Sequence, residues 1–291
     1  MKRVFGIFMA LVMLLTCAGC GGGDKKTEEP ASAPAASEQK SESKIGALMP
    51  IGLDEEGYKR WTKDVAEVEG QNAYTAPNKV VFFDNMNSMI MALQSGQIDR
   101  FTTSSRVGNY IAAHDDALKV IDNNFKPVLG YSIGMQEKDA AQIEEINSAI
   151  KAMKDDGTLE KLIKDNITDV GNAEPAATPM PVIDGAPTLK VAVTGDMPAM
   201  DFVTSDGKPA GFNVAFLSEL SKRINKNIEL VDVDAGARNS ALSSGQVDAL
   251  FWVVGVYDQE GNALPYPLDN VQGFAVSIPY LMDSRVGVTL K

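Results

Sequence analysis

The chain of 291 residues carries a formal charge of −12 at neutral pH and is 44% hydrophobic, which is enough apolar material for one large core or two medium ones. This acidic balance argues against nucleic acid and anionic lipid head groups as partners, because phosphate binding requires a basic patch. Two cysteines and one histidine are too few for a Cys/His zinc site, and we expect neither a metal nor a cofactor.

The N-terminus has the pattern of a secretory signal peptide. A basic start precedes a short apolar run at residues 4–15, and small residues stand directly before Cys20, as at a lipoprotein processing site. The run is shorter than the roughly 20 apolar residues of a membrane-spanning helix. We predict a signal peptide over residues 1–19, lipid attachment at Cys20, a disordered tether over residues 20–43 and an extracytoplasmic location with the lipid as membrane anchor.

Residues 44–170 alternate between strand and helix patterns. In the last helix, apolar residues recur three or four positions apart, which predicts one buried stripe. The predicted strands are 45–49, 79–84, 97–103, 118–122 and 128–136, and the predicted helices are 54–69, 87–94, 106–114 and 139–154.

Residues 171–187 are rich in proline and small residues, which is typical of a semi-rigid linker. Residues 188–291 then repeat the alternation, so we predict two lobes in which parallel sheets are flanked by helices. The predicted elements are strands at 189–193, 228–233, 246–253 and 285–290, and helices at 213–225 and 238–243.

An internal repeat relates the two segments. Ala92-Leu-Gln-Ser-Gly-Gln-Ile-Asp99 and Ala241-Leu-Ser-Ser-Gly-Gln-Val-Asp248 differ only at the third and seventh residues. The pattern predicts a helix whose C-terminus is capped by glycine and which turns directly into a buried strand. By itself the repeat indicates a common architecture.

Residues 189–251 resemble the first lobe of the family 3 extracellular solute-binding proteins of the polar amino-acid type. The markers are the opening strand, Asp206-Gly-Lys, Gly211-Phe-Asn and Ser244-Gly-Gln-Val-Asp. The resemblance implies an α/β fold of the type II periplasmic-binding-protein kind, with two parallel-sheet lobes and a hinge.

Residues 79–166 resemble the second lobe of that family, through Gln97-Ile-Asp99 and Tyr131-Ser-Ile-Gly-Met. The lobes therefore stand in reversed order. Either the chain is circularly permuted, or the second half of one ancestral domain is fused to the first half of the next. A further alternative is a domain swap that pairs lobes from two chains.

The resemblance implies capture of a small polar solute, amino-acid-like or an organic anion, by hinge closure for an ABC transporter permease. The chain is then a binding protein and not an enzyme. The alternative function is a sensor or scaffold lipoprotein with a degenerate cleft. A third hypothesis is a serine hydrolase that uses Ser132, because Gly130-Tyr-Ser-Ile-Gly134 matches G-x-S-x-G. The motif lies within a predicted strand, whereas a nucleophile elbow lies on a strand-to-helix turn.

The arginine and aspartate with which this family holds α-amino acids are both missing, since Ser104 stands at the aspartate position. The remaining candidates are aromatic and polar residues near predicted strand ends, a mixture that is typical of small-molecule pockets. Two arginines among them suit an anion. The candidate ligand-binding residues are Met200, Phe202, Arg238, Asn239, Trp252 and Tyr257 in one lobe, and Ser104, Ser105 and Arg106 in the other.

Overall fold

The computed structural model describes residues 43–68, 79–171 and 173–291, which belong to one compact unit. The predicted signal peptide, Cys20 and all but the last residue of the predicted tether lie outside the described residues. Within them, no helix is long and apolar enough to cross a membrane.

Strands and helices alternate through most of this unit, as the periodicity predicts. The strands are β1 (Lys44–Leu48), β2 (Lys79–Phe83), β3 (Arg100–Ser104), β4 (Leu118–Ile121), β5 (Val128–Gln136), β6 (Thr188–Val193), β7 (Asp196–Met197), β8 (Asp201–Val203), β9 (Pro209–Ala210), β10 (Asn227–Asp232), β11 (Ala249–Tyr257), β12 (Phe274–Val276), β13 (Leu281–Asp283) and β14 (Arg285–Leu290). The helices are α1 (Glu55–Val68), α2 (Met86–Gln94), α3 (Ser105–His114), α4 (Ala140–Asp155), α5 (Thr158–Ile163), α6 (Phe212–Ile224) and α7 (Arg238–Ser243).

Two sheets of similar design form the unit. The first has the order β2-β1-β3-β14-β4, and the second has the order β10-β6-β11-β5-β12, with β13 also paired to β5. In each order the first three strands pair in parallel. The fourth strand, β14 or β5, runs antiparallel to its neighbours on both sides. The predicted α/β fold is confirmed, but the sheets are mixed rather than wholly parallel.

The antiparallel strand of each sheet comes from the other side of the proline-rich stretch 171–187. β5 belongs to the second sheet although it precedes that stretch, and β14 belongs to the first sheet although it ends the chain. This corrects the assignment of residues 44–170 and 188–291 to one lobe each. A strand that crosses from the other sheet enters at the edge where the parallel strands of its new sheet end, so it runs antiparallel to those strands.

The internal repeat forms the same structure in both sheets. Gly96 and Gly245 both have φ of +74°, and each follows a helix as predicted. The aspartates that end the two motifs also match. Asp99 exchanges hydrogen bonds with Lys44 at 2.7 and 2.9 Å, and Asp248 does so with Lys190 at 2.8 and 2.9 Å.

Apolar side chains from both sheets pack into one main core. The predicted stripe of α4 is buried, with Ile143, Ile146, Ile150 and Met153 all at most 3% exposed. A smaller cluster joins Ile51, which follows β1, to residues of the second sheet such as Leu250 and Val253. The two sheets are therefore packed together as well as connected twice by the chain.

Candidate functional site

A cleft lies between the two sheets, at the carboxyl ends of their parallel strands. In open α/β sheets this edge is where ligands bind. The empty space, counted with the solvent at its mouth, is about 680 Å³. The cleft is lined by Ala47, Leu48, Pro50, Tyr58, Thr102, Thr103, Ser104, Leu129, Tyr131, Thr194, Met197, Ala235, Arg238, Trp252, Val254, Leu268, Asp269 and Arg285.

Arg238, a predicted ligand-binding residue, lines the cleft but is held by the protein itself. Its guanidinium pairs with Asp269 at 3.4 Å and donates to the carbonyl oxygens of Trp252 at 2.8 Å and Met49 at 3.1 Å. Asp269 is saturated as well, because it also accepts from the backbone N–H groups of Ile51 and Val254. The pair therefore braces the wall of the cleft.

The same contacts connect the two sheets. Met49 and Ile51 follow β1 of the first sheet, whereas Arg238 and Asp269 belong to the second-sheet side. Ile51 also accepts a hydrogen bond from the backbone of Asn270 at 2.8 Å. The sheets thus touch directly at the back of the cleft.

A second set of contacts joins the two sheets beside the cleft, near α2. The N–H of Asn87 donates to the carboxylate of Asp196 at 3.1 Å, and the N–H of Ala235 donates to the carbonyl oxygen of Asp84 at 2.8 Å. Burial raises the pKa of Asp196 above its ordinary value. Asn85 caps α2 by accepting from the N–H of Ser88, so this turn is fixed locally before it meets the other sheet.

Trp252 supplies an aromatic wall with an unused donor. It has φ of +70°, an uncommon value for a residue other than glycine, at an irregularity in the pairing of β11 with β5. Its ring contacts that of Tyr131 with centroids 4.8 Å apart. The indole Nε1 is buried without a hydrogen-bond partner among the described residues.

Of the three predicted residues on the opposite side, only Ser104 lines the cleft. Its hydroxyl caps α3 by accepting from the N–H of Val107. Ser105 donates to Asp283 at 2.5 Å, and the guanidinium of Arg106 lies 3.8 Å from the same carboxylate. Ser105 and Arg106 therefore both contact Asp283 and do not line the cleft.

The other predicted residues lie away from the cleft lining. Met200 is buried at 1% exposure between β7 and β8, and Phe202 lines a separate depression beside β8. Asn239 is exposed on α7, and Tyr257 packs against the backbone of Gly130 and Gly255. Of the nine predicted ligand-binding residues, the structure brings together Arg238, Trp252 and Ser104 in the cleft.

Arg285, at the start of β14, is a cleft residue that the sequence analysis missed. Its side chain donates to the hydroxyl groups of Tyr58 and, at 2.6 Å, Thr102. Its guanidinium carbon lies 5.2 to 5.5 Å from the ring centroids of Tyr58, Trp61 and Phe125. The available signal was a single arginine in the otherwise uncharged strand RVGVTL.

Ser132 lies inside β5 and is 3% exposed. A nucleophile elbow requires a strand-to-helix turn with an exposed serine, so the local structure does not fit this motif. His114, the single histidine of the chain, is exposed and stacks on Tyr110. Among the described residues, no group of three or more His, Cys, Asp or Glu side chains could hold a metal ion.

Residues 189–259 match the sequence profile described as bacterial extracellular solute-binding proteins, family 3. This segment runs from β6 to the end of β11, and the predicted resemblance to family 3 is confirmed over it. Among proteins with curated descriptions, none matches the chain by sequence.

Solved structures with a similar course of the chain include the ligand-binding component of an ABC-type import system from Staphylococcus aureus. It has 14% identity and a TM-score of 0.38, and the alignment covers 85% of this chain but 65% of that one. The GluR0 ligand-binding core with L-glutamate has 11% identity, a TM-score of 0.37 and coverage of 86% and 84%. A periplasmic substrate-binding protein of an ABC transporter from Coxiella burnetii has 13% identity, a TM-score of 0.36 and coverage of 85% and 84%.

Proposed function

We propose that this protein captures a small polar solute for an ABC-type importer, because residues 189–259 match the profile of family 3 of the bacterial extracellular solute-binding proteins. The observation that carries the proposal is the cleft between two sheets of the same strand order, connected twice by the chain. The matched family consists of binding proteins, and we propose binding without chemical conversion.

Closure of the cleft is the proposed signal to the transporter. The chain crosses between the sheets at residues 122–127 and at Ser284, so two short segments can act as a hinge. A solute held by both walls favours the closed form and shifts the population toward it. The permease then distinguishes the closed, loaded protein from the open one.

We propose that the reversed order of the lobes arises from circular permutation. The carboxyl end of β14 lies beside the amino end of β1, because Thr289 donates to the carbonyl oxygen of Asp99 and the N–H of Asp99 donates to that of Lys44. One chain can therefore supply both sheets. In the unpermuted arrangement, residue 291 would lead into residue 44, and the proline-rich stretch 171–187 would be absent.

We further propose that residues 1–19 direct export, that Cys20 carries the lipid and that residues 20–43 hold the binding unit away from the membrane. The support is the order of basic start, short apolar run, small residues and cysteine. Mass spectrometry of the protein purified from membranes tests this, because lipidated Cys20 should be the first residue. A soluble product that retains Cys17 would contradict it.

The capture function is tested by thermal unfolding of the chain from residue 43 onward against amino acids, organic anions, sugars and short peptides. A ligand that binds only the native state raises the melting temperature, and the stabilisation grows with the logarithm of one plus the ratio of the free ligand concentration to Kd. The same ligand should lower the radius of gyration in solution scattering as the cleft closes. A panel without any stabilising compound would favour the sensor or scaffold alternative.

A further inference from the structure

The cleft contains a buried cation, Arg285, that no carboxylate of the described residues neutralises. Arg285 is 6% exposed, and its Nη1 atom has no hydrogen-bond partner among the described residues. Burial lowers the pKa of Arg285 to about 9, and no neighbouring charge opposes that shift. The guanidinium is still charged at neutral pH.

The surroundings of Arg285 hold the guanidinium in place but leave it unpaired. Tyr58 and Thr102 accept from Nη2, and three aromatic rings surround the head group. Hydroxyl oxygens and ring faces stabilise a cation less than a carboxylate does. A buried charge without a counter-ion is costly, so an anion entering the cleft would relieve that cost.

The remaining polar groups of the cleft also favour an anion. Asp269 is the one carboxylate among the lining residues, and Arg238 and two backbone N–H groups already occupy its oxygens. Trp252 adds an indole N–H that has no hydrogen-bond partner in the part of the chain that the structure describes. The cleft thus offers unused donors and a positive charge, with no carboxylate available to a cationic ligand.

The rest of the wall is apolar. Side chains such as Leu48, Leu129, Met197, Val254 and Leu268 line the space between the polar groups. Such a surface suits a hydrocarbon body more than a second charged group. An α-amino acid would bring an ammonium group for which the cleft holds no free acceptor carboxylate.

We propose that Arg285, with Tyr58 and Thr102, forms an oxyanion-binding subsite for a small organic anion with an apolar body and no ammonium group. This inference rests on the proposed capture function and names its ligand class. Arg285 is therefore a specificity-determining residue, in place of the two arginines that the sequence analysis selected.

The test uses calorimetry to measure how small molecules bind to the wild-type chain from residue 43 onward. The probes are acetate, butyrate, hexanoate, butanesulfonate, neutral butyramide and the zwitterion 2-aminobutyrate. We expect at least one anion to bind, with butyramide and 2-aminobutyrate weaker. The carboxylate and sulfonate arms then show which oxyanion is preferred. Arg285→Gln should weaken anion binding roughly 10- to 100-fold, the range for a lost charge-assisted hydrogen bond.

Arg60→Gln is the matched control, because Arg60 is exposed on α1 and outside the cleft. It should leave anion affinity unchanged. The ligand-free melting temperature of Arg285→Gln should not fall, since that variant removes an unpaired buried charge. If Arg285→Gln does not fold, Arg285→Lys is the second variant, because it keeps the charge without the planar guanidinium. Arg285→Lys should lose less anion affinity than the double variant Arg285→Lys with Thr102→Val.

The outcomes separate this inference from the capture function. If a neutral or zwitterionic solute binds and closes the protein while the anions do not, capture stands and the oxyanion subsite is overturned. Unchanged anion affinity in Arg285→Gln, or in the Arg285→Lys and Thr102→Val pair, also overturns it. If no compound binds in either panel, both proposals fail together.

Discussion

Arg238 and Asp269 form a buried ion pair with 3.4 Å between Nη2 and Oδ1, at the point where the two sheets meet. Asp269 is 1% exposed and accepts from two backbone N–H groups in addition to the guanidinium. Removing one partner of such a pair leaves the other charged and buried, which is strongly destabilising. We therefore assign the pair a structural role in the cleft.

Arg238→Met should lower the free energy of unfolding by about 3 to 5 kcal/mol, because the carboxylate of Asp269 would lose its counter-ion. Denaturant unfolding measures this loss. Arg60→Met, on the exposed face of α1, should change stability by less than about 0.5 kcal/mol. The double variant Arg238→Met with Asp269→Leu should be less destabilised than the sum of the two single variants. A fully stable Arg238→Met would show that the pair contributes nothing.

Trp252 provides a spectroscopic probe of the cleft. It lines the cleft, and Trp61, the other tryptophan of the chain, stacks beside Arg285. Solute binding should change the intrinsic fluorescence, and Trp252→Phe should remove part of that change. The same variant loses the unpaired indole N–H, so the Kd should rise about 2- to 10-fold, as for one neutral hydrogen bond. Identical spectra with and without saturating solute would place binding elsewhere.

The fold was largely predictable because it follows from local patterns. Each copy of the repeat, ending in Asp99 or Asp248, contains the end of a helix and its glycine cap, and a strand begins at the next residue. The strand exchange was not predictable in the same way. The placement of β5 and β14 depends on long-range pairing, and neither strand carries a local signal that names its sheet.

The site was predicted in part for the same reason. Ser104 ends β3, and Trp252 lies inside β11, two residues past the last residue that pairs in parallel with β6. The carboxyl ends of parallel strands form the cleft, so both residues line it. Arg238 also lines it, but the sequence does not reveal its partner Asp269, which is 31 residues away in a loop. Arg285 was missed because its role depends on α1 and β3, elements far from it in the chain.

Asp156 should contribute to stability in a pH-dependent way. Hydrogen bonds from Thr158, joined by the guanidinium of Arg223, lower the pKa of Asp156 to about 2 from an ordinary value of 3.8. A carboxyl group whose folded pKa is depressed contributes stability above its unfolded pKa, and that contribution is lost as the pH falls through the folded value. The relevant window is therefore between about pH 4 and pH 2.

Wild type should thus lose stability between pH 4 and pH 2 more steeply than Asp156→Asn, as measured by acid unfolding followed by circular dichroism. Asp155→Asn is the control, because this neighbouring carboxylate is exposed at the end of α4. Its acid transition should match that of wild type. Parallel curves for wild type and Asp156→Asn would contradict the lowered pKa of Asp156.

The permutation proposal predicts that the chain can be rejoined in the other order. β14 and β1 are separated by β3 alone, and their nearby ends lie at the same edge of the sheet. Two strand spacings amount to about 10 Å, which roughly six flexible residues can span.

The test is a rearranged gene that encodes residues 188–291, then a linker of about six residues, then residues 44–170. We expect its product to be a folded monomer. It should bind the same solutes as the original order, as measured by calorimetry and sedimentation. The control is the same rearrangement opened inside β11, which breaks the central pairing of the second sheet and should not fold. A rejoined protein that is unfolded, or that folds only as a dimer with exchanged strands, would favour the fused half-domain or swapped alternatives.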